Sequence, residues 1–282
     1  NAKTDTVAGA ASLLAAGAAA QSAINQNDVV QAIAGGKDTK ILAGDVEITA
    51  EDNNTYGSTM DVVHAAIAGL GGAKTVNTIT ADTRAGIGGS DPQTKGSKGT
   101  TLTADTLTVN AKNKTTKAAE DMNIHSASGG LADGAAIHDT QDISHTTQAF
   151  IGNDAVVHTS KAITGNETSR GLVMNAESNV DVTEKNKLSA GAAISLARVE
   201  NQVAVNKAMA NKDDEIIGTN VRIGKGAAVT VTEGDLDLTA RNMGNITADT
   251  LVDVYGAVGV RPSGQADIQY NGKSNISQQG VI

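Results

Sequence analysis

The chain has 282 residues, 39% of them hydrophobic, yet it holds only three tyrosines, one phenylalanine, no tryptophan and no cysteine. Large buried side chains contribute roughly 1.5–3 kcal/mol each and alanine well under that, so a compact globule anchored on big residues is disfavoured, and a disulfide framework or thiolate metal site is excluded. The net charge of −9 is spread through the chain, as are the lysines, which argues against a nucleic-acid partner.

From the N-terminal side, the first stretch of note runs from Val7 to Ile24. It looks like a signal h-region or a weak membrane span, but it lacks a basic flank and consists mostly of Ala and Gly. It reads instead as part of a repeat whose closing phrase is Ala32-Ile33-Ala34-Gly35, and the chain is not expected to span a membrane. The repeat itself is carried by four copies of an apolar-x-apolar-x-Ala phrase: Val46–Ala50, Leu107–Ala111, Leu172–Ala176 and Leu236–Ala240. Their terminal alanines lie 61, 65 and 64 positions apart. About forty residues after each of the first three comes a second phrase, read as Ala85-Gly86-Ile87-Gly88, Ala149-Phe150-Ile151-Gly152 and Glu215-Ile216-Ile217-Gly218. The Gly/Ala stretches between the two, such as Gly69-Leu70-Gly71-Gly72 and Gly129-Gly130-Leu131, are interrupted by glycine in every copy, which favours strand over helix.

Between Val221 and Ala240 apolar residues alternate and break at Gly224-Lys225-Gly226 and Glu233-Gly234-Asp235, so strand starts recur every seven or eight residues there. Three such strands make a coil of about 21 residues, and about three coils fill one repeat of about 64. The expected fold is therefore all-β: a parallel β-helix (β-solenoid) of about thirteen coils and roughly 60 Å. The domain reading is one solenoid fragment over 1–282, with units at approximately 1–45 (partial), 46–106, 107–171, 172–235 and 236–282 (partial). Asn53, Asn113, Asn179 and Asn242 fall two or three positions after the phrase alanines, where a left-handed turn or a stacked amide ladder is expected.

Motifs that carry chemistry are sparse. The histidines at 64, 125, 138, 145 and 158 form no His-x-x-x-His or His-Glu-x-x-His spacing and are expected in exposed or turn positions, so no metal site is assigned. Glycine runs such as Gly86-Ile87-Gly88-Gly89 lack the Gly-Lys-Ser/Thr ending of a phosphate loop, and there is no Gly-x-Ser-x-Gly elbow. The acidic run Lys212-Asp213-Asp214-Glu215 lacks the spaced ligands of a calcium loop. Two carboxylate pairs, Asp133 with Asp139 and Asp181 with Glu184, are the candidates for glycoside chemistry, although four aromatics over 282 residues make a sugar cleft a poor fit. No catalytic, cofactor-binding or metal residues are assigned.

The phrases resemble the repeats of large secreted bacterial exoproteins of the filamentous haemagglutinin class, and among these the leukotoxin-like exoproteins of anaerobic Gram-negative bacteria. The resemblance rests on Val76-Asn77-Thr78-Ile79 preceding Thr83-Arg84-Ala85-Gly86-Ile87-Gly88, and on Thr147-Gln148-Ala149-Phe150-Ile151-Gly152. The third unit departs from the pattern, with Asn206-Lys207-Ala208-Met209 in place of Val-Asn-x-Ile, and a protruding loop is expected there. The resemblance implies type V, two-partner-type export through an outer-membrane transporter and a secreted or cell-surface location on a Gram-negative bacterium. With it comes a non-enzymatic role as a rod or stalk of an adhesin or exotoxin, presenting a surface to a receptor or glycan of unknown identity on host or neighbouring cells. The alternatives are a β-helix polysaccharide-active enzyme and a phage tail-spike segment.

Overall fold

The computed structural model describes residues 2–88, 99–118, 122–160, 170–207 and 218–282. The chain is all-β: strands make up 84% of the described residues, and no helix is found among them. The strands fall into five successive layers. The first holds β1 (Ala2–Ala11), β2 (Ala15–Ala34) and β3 (Lys40–Leu42), the second β4 (Asp45–Ala65), β5 (Ala68–Ile87) and β6 (Thr101–Ala104), and the third β7 (Thr106–Lys117), β8 (Ile124–Ile151) and β9 (Val156–Ser160). The fourth holds β10 (Arg170–Val205), β11 (Gly218–Ile223) and β12 (Ala228–Glu233), and the fifth β13 (Asp235–Tyr255), β14 (Gly259–Tyr270) and β15 (Ser274–Gln278).

Every named pairing is parallel and joins one layer to the next. The phrase alanines form one column, Ala50–Ala111–Ala176–Ala240. The second phrase forms another, Ala34–Ile87–Ile151–Ile223, and the glycine after each of the last three donates its N–H to the residue ending the phrase in the layer before, at 2.8 Å. The third copy of that phrase is therefore Val221-Arg222-Ile223-Gly224. The reading of Glu215-Ile216-Ile217-Gly218 in that role is corrected, because Gly218 pairs with Thr146; Glu215–Ile217 lie outside the described residues. Thirteen positions separate Val205 from Gly218 where three separate their partners Ile143 and Thr146, so an insertion moves the phrase along the chain. The acidic run 212–215 and the Ala208-Met209 part of the expected loop also lie outside the described residues.

The coil arithmetic is corrected as well. Paired residues are one whole repeat apart, so each repeat contributes one layer in place of three coils. Short strands with tight breaks occur at β11, β12 and the start of β13, as expected, and also at β3, β6 and β9, whereas along the arms the alternation runs on through 21 residues in β4 and 36 in β10. Two arms of about 20 residues, each extending roughly 65 Å, lie face to face in a layer, whereas five layers at about 4.8 Å stack to only about 20 Å. The long dimension runs across the stack and not along it.

In each layer the chain runs out along the first arm, bends and returns along the second, and in the first four layers it then passes through a short third side formed by β3, β6, β9 and β12. The Gly/Ala stretches are strand, as expected: β2, β5 and the second halves of β8 and β10. Their helix propensity is overridden by the parallel ladder, and at Gly69 and Gly71 the missing side chain lets the second arm lie against His64 of the first. The core divides into three zones. Ile87, Leu102, Leu107, Ile151, Leu172, Met174 and Ile223 fill the end near the third side. Tyr56, Ile79, Ile143, Val180, Val182 and Val203 fill the middle. Met60, Val62, Ile124, Ile137, Leu188 and Val199 fill the end near the bend. Asn53, Asn113, Asn179 and Asn242 sit within strands, and none has the positive φ of a left-handed turn; that conformation is taken by Asp38, Asp154 and Asn206. Nor do the four share a column, since Asn113 aligns with Asp52 and Ser178, and Asn53 with Lys114.

Candidate functional site

Strand alternation sends every second residue of each arm inward, and many of these are polar. Counting from the inward alanine Ala111, the next inward positions of β7 are Asn113, Thr115 and Lys117, all buried. Counting from Ala176 in β10 leads through Ser178, Val180 and Val182 to Glu184 and Asn186, again all buried. The second arm of the third layer supplies Asp139 and Gln141 from β8.

These residues meet between the arms. Lys117 Nζ donates to Glu184 Oε1, and both side chains are fully buried. Asp139 accepts from Thr75 Oγ1, from Gln141 Nε2 at 2.7 Å and from Asn186 Nδ2 at 2.8 Å. Asn77 Nδ2 extends the network by donating to Gln141 Oε1 at 2.9 Å and to Ser58 Oγ at 3.0 Å. Burial, reinforced by the charge of Asp139, pushes the Glu184 carboxyl well above the usual carboxylate range, and the nearby Lys117 only partly offsets this. Tyr56 is buried beside the same two carboxyls, and its phenol is pushed up by burial first and by Glu184 and Asp139 next.

Two further buried polar sites lie on either side. His64 of β4 and Asp133 of β8 are joined at 2.7 Å between Nε2 and Oδ1, with both side chains fully buried. Gly69 and Gly71 lie against the imidazole: a Cβ on Gly71 would stand 2.3 Å from the ring, so only glycine admits the histidine there. His145 shares hydrogen bonds with Thr115 Oγ1 at 2.7 Å and Ser178 Oγ at 2.8 Å. Burial lowers its pKa from 6.5 to about 4.

The carboxylates singled out in the sequence are distributed differently from their proposed pairing. Asp133 and Asp139 both point inward from β8 but join separate networks, one with His64 and the other with Glu184. Asp181 is on the outer side, where it accepts from Asn245 Nδ2 at 3.0 Å. The structure thus brings together one member of each pair, Asp139 and Glu184. The expectation of exposed or turn histidines is corrected for His64 and His145, which are buried in strands. His125 and His138 do lie on the outer side, against Asp61 and Glu200 respectively, both at 3.0 Å. His138 and His145 are an odd number of residues apart on one strand and so point to opposite sides of it. Among the described residues no group of three or more His, Asp or Glu is placed to hold a metal ion. No helix among them is long and apolar enough to cross a membrane.

On the outer side of the second arms, near the bend, a groove of about 660 Å³ crosses four layers, walled by Leu70, Ile194 and Leu196 over a floor of Ala15, Gly17 and Ala68. Asp133 reaches this groove, but its carboxylate faces His64 on the inner side. Lys117, Asp139 and Glu184 line no surface depression described for the molecule.

Comparison of the chain with protein-family models, curated proteins and solved structures finds no match.

Proposed function

We propose that this chain is a β-solenoid segment with one layer per repeat, serving as a non-enzymatic rod or stalk of a secreted or surface-exposed bacterial adhesin or exotoxin. The observation that carries the reading is the column Ala50–Ala111–Ala176–Ala240, in which the repeated phrase stacks on itself in parallel. A unit that pairs only with its predecessor and its successor makes stability a sum of nearest-neighbour terms, which suits a structure extended by copying. Export through an outer-membrane transporter, and presentation to a receptor or glycan on another cell, follow from the resemblance of the repeats to filamentous haemagglutinin-class and leukotoxin-like exoproteins. The chain's lack of cysteine is compatible with unfolded export. Weak contacts repeated along a face would add through avidity.

The polysaccharide-active alternative is disfavoured by the burial of Asp139 and Glu184, neither of which lines the surface depressions found among the described residues. The test pairs a glycan-depolymerisation screen with binding of the labelled protein to host cells and to bacteria. Saturable binding without depolymerisation is expected; depolymerisation abolished by Asp139→Asn would overturn the reading. Light scattering of the same sample that gave an obligate trimer would favour a tail spike.

A further inference from the structure

The Lys117–Glu184 contact has a chemical consequence beyond an ion pair. We propose that Lys117 and Glu184 become joined by an amide bond between Nζ and Cδ, formed by the folded chain itself with Asp139 as the proton-relaying carboxylate. Three observations place the reactants. Lys117 Nζ and Glu184 Oε1 are in direct contact, with both side chains fully withdrawn from water. Glu184 Oε2 is not engaged by Lys117 and belongs to the carboxyl beside Asp139, so it can depart with a proton relayed by that residue. Asp139 stands beside Glu184 and is itself held by Thr75, Gln141 and Asn186, so its position is fixed while a proton passes over it.

The physical case follows from the environment. A buried ammonium and a buried carboxylate each forgo hydration, and their attraction repays this only in part. Transfer of the proton from Lys117 to Glu184 gives a neutral amine and a neutral acid, which are the forms that react. Burial of Glu184 beside a second carboxylate favours the protonated acid. Two groups held in contact react with the advantage of an intramolecular process, and a dry interior withholds the water that would reverse it. The amine is a recognised nucleophile once desolvated.

The step balances without any other reagent. Lys117 Nζ adds to Glu184 Cδ and the N–C bond forms. Asp139 takes one proton from Nζ and delivers it to the departing hydroxyl; the C–O bond breaks and one water leaves. Asp139 ends as it began. The product is a neutral crosslink between residues 67 positions apart, fastening the third layer to the fourth. The inference rests on this buried geometry alone, so its failure would leave the rod reading untouched.

The test is the mass of the full chain, purified and then denatured. The expected mass lies below that of the sequence by one water, about 18 Da. Trypsin should then fail to cut after Lys117 and release a branched peptide joining residues 115–161 to residues 171–185. An unmodified mass with ordinary cleavage after Lys117 overturns the proposal. So does a water loss mapped elsewhere, such as a cyclised Asp133-Gly134 or a Lys117 link to Asp139. The variant Asp139→Asn removes the relay and should leave most chains at full mass; crosslinking at the parental level would overturn the role of Asp139.

Discussion

Acidification should destabilise the protein through His145, and the size of the effect can be worked from its surroundings. The folded chain holds this imidazole neutral between Thr115 and Ser178, with a pKa of about 4, while the unfolded chain protonates it near 6.5. Between those values the unfolded state binds more protons, so stability rises with pH and is lost as pH falls through that window. From pH 7 down to pH 4.5 the loss amounts to about 2 kcal/mol for this one group. Glu184 and Asp52 act in the opposite sense, because burial raises their proton affinity in the folded state. A single pH series therefore mixes the two effects. The measurement that separates them is urea unfolding of the parent and of His145→Gln at pH 7 and pH 4.5, with the difference between the two chains taken at each pH. Glutamine retains a donor and an acceptor but cannot take up the proton. The variant should lose about 2 kcal/mol less than the parent on acidification. An identical loss in both chains would refute the reasoning and place the acid sensitivity elsewhere.

Two further substitutions probe the space between the arms. Gly71→Ala places a methyl group 2.3 Å from the His64 ring and should cost about 1–3 kcal/mol by overpacking; the same change in a His64→Ala background should be close to neutral, read as coupling in a double-mutant cycle by denaturant unfolding. Tyr56→Phe removes a buried hydroxyl that has no hydrogen-bond partner among the described residues, so it should be neutral or stabilising within about 1 kcal/mol by thermal unfolding, whereas Tyr56→Ala should cost about 3–5 kcal/mol. A large loss on Tyr56→Phe would show that the hydroxyl is satisfied after all.

Much of the fold was legible because the phrase alanines mark both period and parity. The column Ala50–Ala111–Ala176–Ala240 follows from the spacing alone, and the glycine interruptions rightly pointed to strand in the Gly/Ala stretches. The number of layers did not follow. The breaks around Gly224-Lys225-Gly226 and Gly234 are real turns, but polar and glycine residues elsewhere are carried through long strands by ladder bonds to the layers on either side. Parity could also have found the interior charges, since Lys117 is six positions from Ala111 and Glu184 eight from Ala176, both even. What parity cannot supply is the facing residue. Asp139 meets Glu184 only because the chain bends near Gly130 and Leu131, and no local pattern fixes how far along the return arm the two come level. Burial of His64 was hidden for the same reason, because the glycines that admit it lie on the opposite arm.

The offset of one whole repeat between paired residues shapes how such a structure assembles. Every interlayer hydrogen bond closes a loop of about 50 or more residues, and lengthening that loop adds little entropy cost, whereas finding the first correct pairing is slow. Once two layers are matched, their exposed edge is a template on which the next arm zips down residue by residue. Growth from a nucleus, advancing one layer at a time as chain becomes available, is the kinetic counterpart of that spacing.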